Sequence, residues 1–435
     1  MRSNSLATPA DARPPAPARG PVARARTAAA ILIGRAVGVA TQVRRAGSGT
    51  AFPGLVASKV SPTLLAETLR SFPDGLVVVT GSSGKSTTTK MLASVLEAHG
   101  KNVFSNSSTA NITQGIMSAV LNEVDFAGRM SADIAVLEID EGHASKLAPQ
   151  LEARTVVLTN VMIDQIDRFS DPHHLTRMLG NIGHRATTHV VTNADDAYLE
   201  ELAPSFGVDV LRFGVSEAVM ETAPHGLGNL RTSPSRLRSG TIVESSEGLS
   251  ASIAHDGELV HVELPARGVH YAIDAAAAIA AASSVLGSAF DLELAASVIS
   301  GIPPVFGRGE TVTIKGKRIE FVLVQNPSSF QLNVDQIDGP QEQVLVAMGS
   351  DVRDPSYLWP VDTSALGTVT IVSGSGAEEL ALQLIYRGVS IGRIEKDLGR
   401  ALDEFLALPD PTTGVKTIIF SADSMRRTRA HWGLR

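Results

Sequence analysis

The chain has 435 residues, of which 43% are hydrophobic, 19% charged and 4% aromatic; its formal net charge is −7 and it contains no cysteine. At about 150 residues per domain, this length suggests roughly three domains, and the aliphatic content excludes disorder over most of the chain. The mild acidity gives no electrostatic reason for nucleic-acid binding, the scarce aromatics argue against base-stacking platforms, and the missing thiols exclude disulfides, thiolate nucleophiles, iron–sulfur clusters and Cys-based zinc sites.

In chain order, residues 1 to about 22 carry Pro9, Pro14, Pro15, Pro17 and Pro21 and read as a disordered tail. A helix is expected from about Ala23 to Arg45. Asp11 is the only acid before Glu67. Mitochondrial transit peptides share this Arg richness. A solvated tail leading into an amphipathic helix is the simpler reading. A third is attraction to an anionic membrane surface through Arg24, Arg26, Arg35, Arg44 and Arg45. No uninterrupted run of 18 apolar residues occurs, so no transmembrane helix is expected.

Gly75 to Thr80 (GLVVVT) is short, β-branched and lacks alternation, which predicts a strand buried on both faces. Similar strands are expected at 134–137, 155–159 and 189–192, separated by helical patterns. That alternation predicts an α/β fold with a mostly parallel sheet covered by helices. Between about Ser216 and His261 the texture turns to Ser, Gly and short alternating runs, read as inserted β-rich or loop-like material. An alanine-rich helix follows over about 272–286. A second strand–helix series, with strands at 319–324, 343–347, 368–372 and 417–421, predicts a smaller C-terminal α/β domain of Rossmann-like character.

Between the first strand and its helix lies Gly81-Ser82-Ser83-Gly84-Lys85-Ser86. Glycines let backbone N–H groups converge on phosphate oxygens, and a helix N-terminus adds a favourable dipole. Lys85 is placed to bridge the β- and γ-phosphates, and the Ser86 hydroxyl to ligate Mg²⁺. The strict phosphate-loop pattern has Gly five residues before Gly84, where this chain has Val79, so the loop is a shorter variant. The alternative is a glycine turn with an exposed lysine. Glu138 is the other first choice for an Mg²⁺ ligand, because strand ends in parallel sheets deliver carboxylates to ligand crevices. Its competing role, with Asp140 and Glu141, is an acidic helix start favouring the dipole.

Thr80 to Thr89 (TGSSGKSTTT) resembles the ATP loop of the Mur ligase family. Further segments narrow the resemblance to the MurT branch, the synthetase subunits of lipid II isoglutaminyl synthases. They are Gly49 to Gly54 (GTAFPG), Glu138 to Glu141 (EIDE), Asn160 to Phe169 (NVMIDQIDRF), Pro304 to Glu310 (PVFGRGE), Asn326-Pro327, and Asp351 to Trp359 (DVRDPSYLW). The resemblance covers about residue 45 to the end and divides the chain into three parts. Residues 1–45 are a flexible basic extension and helix, 46–300 a central ATP-binding domain with an insert at 216–262, and 301–435 a C-terminal domain.

The resemblance implies an ATP-dependent carbon–nitrogen ligase of peptidoglycan synthesis. Such enzymes phosphorylate the α-carboxylate of D-glutamate in the lipid II stem peptide. Ammonia from a GatD-type glutamine amidotransferase subunit then gives D-isoglutamine. ATP and Mg²⁺ are the implied cofactors, and the implied location is the cytoplasm, peripheral to the inner face of the membrane. By the same resemblance Thr80, Gly81, Ser82, Ser83, Gly84, Lys85, Ser86 and Thr87 form the phosphate loop, while Asn160, Asp164, Gln165 and Arg308 line the nucleotide site. Asp351 or Asp354 completes the glutaminase site across the interface, leaving open which of the two does so.

Several departures stand out. Many relatives of this branch carry a four-cysteine zinc ribbon; the corresponding stretch here has no cysteine, so no zinc is expected. No lysine occurs between Lys146 and Lys315, which argues against the amino-acid-adding Mur ligases that use a carbamylated lysine there. Gln325, Ser328, Ser329, Val352, Tyr357 and Pro360 replace residues usual in the C-terminal segments. The competing readings are another Mur-superfamily carboxylate–amine ligase and a nucleotide-binding regulatory scaffold of weak activity.

Overall fold

The computed structural model describes residues 20–43, 51–106, 110–162, 171–233, 237–303, 308–324, 326–337, 341–352 and 358–434. Strand β1 (Gly75–Thr80) is buried along its whole length. Its missing alternation has a direct cause: Val77 and Val79 enter the core on one face of the sheet, Leu76 and Val78 the core on the other.

Around β1 run β2 (Val103–Ser105), β3 (Ile134–Glu138), β4 (Ala153–Leu158), β5 (Ala186–Asn193), β6 (Asp209–Val215), β7 (Thr241–Glu247), β8 (Ser250–His255) and β9 (Glu258–Glu263). They form one nine-stranded sheet in the order β2-β3-β1-β4-β5-β6-β7-β8-β9. Pairing is parallel from β2 to β7 and antiparallel across β7–β8–β9. The stretch read as an insert is thus a meander that extends the sheet. Val243, Ile253, Val260 and Val262 bury its inner face in the same core as the alanine-rich helix Val269–Leu286. Hydrogen-bonded pairing and this apolar face hold it in place.

That helix, extended to Ala289, has the length and hydropathy of a membrane span. It is nevertheless the central core helix, with Ala272 and Ala275 to Ala282 all buried. Small side chains let it approach both the sheet and the helix Lys85–Ala98, so its apolar character reflects burial within protein.

The second sheet comprises β10 (Arg308–Ile314), β11 (Lys317–Leu323), β12 (Val344–Met348), β13 (Thr368–Gly374), β14 (Ser390–Glu395) and β15 (Lys416–Phe420), in the order β10-β11-β15-β12-β13-β14. All its pairs are parallel except the β10–β11 hairpin. Lys315 and Gly316 at that turn have φ of 48° and 83°, the two positive values a tight hairpin turn requires.

The N-terminal helix spans Pro21–Val43, starting two residues earlier than the sequence suggested. A proline is compatible with a first helical turn, where its missing N–H costs nothing. The proline-rich residues 1–19 lie outside the described residues. The helix packs on Phe52–Val60 and on Thr113–Glu123. A Cβ at Gly34 would stand 2.6 Å from Leu121 Cδ1, so glycine permits the close crossing. Arg35 donates from Nε to Leu121 O (2.7 Å) and from a terminal nitrogen to Val124 O (2.5 Å), capping Thr113–Glu123 at its C-terminal end. Among the arginines expected to face a membrane, Arg35 therefore has an internal role.

Candidate active site

The C-terminal ends of β1, β3 and β4 converge on the loop that follows β1. Thr80 is fully buried at the strand end, so it contributes backbone only. Gly81 has φ of +135°, and a Cβ there would lie 2.3 Å from Thr159 Oγ1. Gly84 has φ of +80° as N-cap of the helix Lys85–Ala98; a Cβ there would lie 2.2 Å from Asp274 Oδ1. Both positions need glycine for conformation and for space.

The loop is laced to the segment after β4. Ser83 N donates to Asn160 Oδ1 (2.9 Å), Asn160 Nδ2 donates to Ser83 O (3.3 Å), and Ser82 N donates to Asn160 O (3.1 Å). Met162 N donates to Ser82 Oγ at 3.0 Å. Asn160, chosen from sequence, thus shapes the loop from its far side. Asp196 anchors the same segment by accepting from Val161 N at 2.7 Å. Burial pushes the Asp196 carboxyl up to about 6, against opposing hydrogen bonds from the Val161, Leu199 and Tyr198 amides and the nearby Arg231.

Lys85 folds over the loop. Its Nζ donates to Gly81 O, to Ser82 O (3.1 Å) and to Glu141 Oε2 (3.3 Å). Both partners of this ion pair are shielded, with side-chain exposures of 13% for Lys85 and 3% for Glu141. The acidic trio separates into three roles. Glu138 ends β3, in register with Val79 on β1, and accepts from Asn111 Nδ2 on Oε1 at 2.9 Å. Asp140 caps the helix Glu141–Leu147 by accepting from Gly142 N and His143 N, which fulfils the helix-start reading for that residue. Glu141 holds the phosphate-loop lysine.

Hydroxyl and carboxylate oxygens suit Mg²⁺, and Ser86 in the first turn of Lys85–Ala98 and Glu138 at the end of β3 offer such donors. No group of three His, Asp or Glu side chains capable of holding a metal alone occurs among the described residues, so phosphate oxygens and water would complete the shell.

Next to the loop, a cleft runs between the two sheet domains. Ser83, Gly84, Thr87, Asn160 and Asp274 form its loop side, and Leu323, Ser329, Leu332 and Asn333 its C-terminal side. Asn229 also lines it, with both side-chain amide atoms buried and lacking a hydrogen-bond partner among the described residues. A buried amide without partners is costly, so this one is poised for a ligand offering an acceptor and a donor together.

Asp351 lies beyond β12. Its Oδ1 accepts from Ser421 Oγ (2.6 Å) and its Oδ2 from Asp423 N (2.9 Å), so it caps the helix Ala422–His431. It remains exposed to solvent. Asp354, Asp164 and Gln165 lie outside the described residues. Arg308 opens β10 at the domain junction, and the placement of its side chain is likewise outside them.

Glu141, Asp274 and Asn229 were missed as site residues. A lone acid inside an alanine-rich helix was the available signal for Asp274. Nothing local distinguished Asn229.

Two family models match the chain: the Mur ligase middle domain over residues 79–282 and the MurT ligase C-terminal domain over residues 323–420. The chain is 26% identical over 389 residues to subunit MurT of the glutamine-hydrolyzing lipid II isoglutaminyl synthase of Streptococcus pneumoniae, covering 80% of this chain and 85% of that one. It is 31% identical over 157 residues to the Staphylococcus aureus subunit of the same name, covering 35% and 34%. Its fold is similar to the MurF ligase of Thermotoga maritima solved in complex with ADP, with a TM-score of 0.64 and 18% identity over 87% of this chain and 83% of that one.

Proposed function

Because the chain belongs to the Mur ligase family, in its MurT branch, and is thus an ATP-dependent ligase of peptidoglycan synthesis, we propose that it amidates the α-carboxylate of D-glutamate in the lipid II stem peptide. The observation that carries the nucleotide half of this reading is the continuity of the phosphate loop with the interdomain cleft. Phosphates meet the loop amides at the start of Lys85–Ala98, and the unpaired Asn229 amide offers the donor–acceptor pair that a purine edge requires.

The chemistry brings an anionic carboxylate to an anionic γ-phosphate. Lys85 offsets that repulsion, and Glu141 keeps its ammonium at the loop. Mg²⁺ held by Ser86 and Glu138 would supply further positive charge to the phosphates. A carboxylate oxygen attacks the γ-phosphorus, the bond to the ADP oxygen breaks, and an acyl phosphate forms. Ammonia then attacks the acyl carbon, inorganic phosphate leaves with the acyl C–O electron pair, and the surplus proton passes to solvent. The absence of lysine between Lys146 and Lys315 separates this reading from an amino-acid-adding ligase that needs a carbamylated lysine there.

The word subunit in the relatives' name supports a second chain. We assign it as a GatD-type glutaminase delivering ammonia. The C-terminal domain offers exposed Trp359, Leu382, Ile385 and Tyr386, with the Trp359 and Tyr386 rings 5.4 Å apart, as an apolar surface for it. Asp351 or Asp354 would orient a catalytic histidine of that glutaminase. Such a reaction takes place in the cytoplasm, where ATP and the lipid II headgroup meet.

The deciding experiment incubates lipid II with ATP, Mg²⁺ and ammonium and follows, by mass spectrometry, replacement of a carboxyl OH by NH₂. Amidation by the wild type and none by Lys85→Ala is expected. Unchanged lipid II with ATP consumed on another carboxylate would overturn the substrate assignment.

A further inference from the structure

The helix Pro21–Val43 has an unusual outer face. From Ala28 to Ala40 its sole polar side chain is Arg35, and Arg35 turns inward to cap another helix. Toward solvent the helix presents Val22, Ala25, Leu32, Ile33, Ala36, Val39 and Ala40. Leu32 is 56% exposed and Val39 63%. A surface helix of a globular domain ordinarily carries charge on that side. The adjoining helix adds exposed Phe52 and Leu55. Exposed Phe126 lies beneath the Arg35 guanidinium, 5.6 Å from its carbon.

The charge around this strip has one sign. Nine Arg and Lys residues stand against the single Asp11 before Glu67, in a chain whose net charge is −7. Arg24 and Lys59 are exposed, and Arg44 and Arg45 follow the helix in sequence.

We propose that this helix lies flat on an anionic lipid bilayer, its apolar face entering the headgroup–acyl boundary and its flanking arginines meeting lipid phosphates. The flanking positive charge selects the occupant: an anionic bilayer asks for apolar area bordered by cations such as Arg24 and Lys59, which this strip provides. Spanning is excluded by the opposite face, where Thr27, Ala30, Ile31 and Gly34 are buried against the central domain. The inference stands apart from the reaction assigned above, and its test uses vesicles without lipid II.

Full-length protein is sedimented with vesicles of phosphatidylglycerol and phosphatidylcholine, and with vesicles of phosphatidylcholine alone. Binding to the anionic vesicles is expected to be at least about tenfold tighter, and to fall as salt rises from ~0.1 to ~1 M. The double variant Leu32→Ser/Ile33→Ser should weaken it about tenfold or more. Arg24→Glu and Val39→Ser should each weaken it independently, while Leu259→Ser, at an exposed site on β9, should not. These side chains are solvent-exposed, so unfolding midpoints should stay within ~2 °C of wild type. Absent vesicle binding, or binding unaffected by all three helix variants, would overturn the proposal. So would a soluble dimer that the double variant dissociates, because a second copy would then cover the face.

Discussion

Lys85→Ala should do more than stop turnover. It removes the cation facing Glu141, whose side chain is 3% exposed, across a 3.3 Å contact. At that distance and an effective dielectric of about 20, the attraction is ~5 kcal/mol. Relaxation and residual solvation reduce the net loss to about 3 kcal/mol, in the range for breaking a shielded pair by removing one partner. For a domain of this size that corresponds to a fall of roughly 6–12 °C in the unfolding midpoint of the ligand-free protein. Replacing Glu141 as well removes the stranded charge. Lys85→Ala/Glu141→Gln should therefore recover more than half of the lost stability, yet remain inactive in ATP-dependent amidation. Thermal unfolding of wild type, both single variants and the double variant forms a thermodynamic cycle, with turnover read in parallel. A Lys85→Ala midpoint within ~2 °C of wild type would refute the structural role of the pair, as would a double variant no more stable than the single one.

Gly84→Ala places a methyl 2.2 Å from Asp274 Oδ1 at a φ of +80°. It should abolish nucleotide binding in a titration with ATP, whereas Gly100→Ala, at φ of +82° with nothing within 4 Å, should cost only the ~1–2 kcal/mol of the backbone conformation and leave binding intact. Asp196 titrates near 6 when folded, against 3.8 in its unperturbed form, so between these values the native state holds a proton that the unfolded chain has released. Its contribution is fully present below about pH 4 and is lost as pH rises through 6, a swing of ~3 kcal/mol. Urea unfolding of wild type and Asp196→Asn between these limits should show curves that diverge by that amount; parallel curves would count against it. Asp351→Asn and Asp354→Asn should both retain ammonium-driven amidation, and the one facing the glutaminase should lose glutamine-driven turnover. Equal glutamine use in both variants and wild type would remove the interface role.

The strip of apolar side chains on the N-terminal helix and the phosphate loop are separate devices in one domain. Among the described residues the helix packs chiefly on Phe52–Val60 and Thr113–Glu123. At its N-terminal end Thr113–Glu123 contacts His143 through Thr113 Oγ1 at 3.0 Å, beside the acidic strand end. Vesicle binding and amidation can therefore be scored independently in the same set of variants.

What the sequence determined by itself was what local pattern encodes. Runs buried on both faces, such as Gly75 to Thr80, have no alternation, because helices cover both sides of the sheet. Gly81 and Gly84 declared a backbone that only glycine adopts at that loop, and Asn160 was legible through the resemblance of its segment to the Mur ligase motif. Weakly apolar edges were harder to read: β14 exposes much of its length and was not expected as a strand, while the polar halves of β7–β9 left that stretch open between β-rich and loop-like. Only the tertiary structure decided that Glu141 reaches Lys85 across 56 residues of sequence, that Asp274 abuts Gly84, and that the Asn229 amide is buried in the cleft without a partner among the described residues. Each of those contacts depends on how separate strand ends and helices come together, and side-chain chemistry along the chain carries no record of that distance.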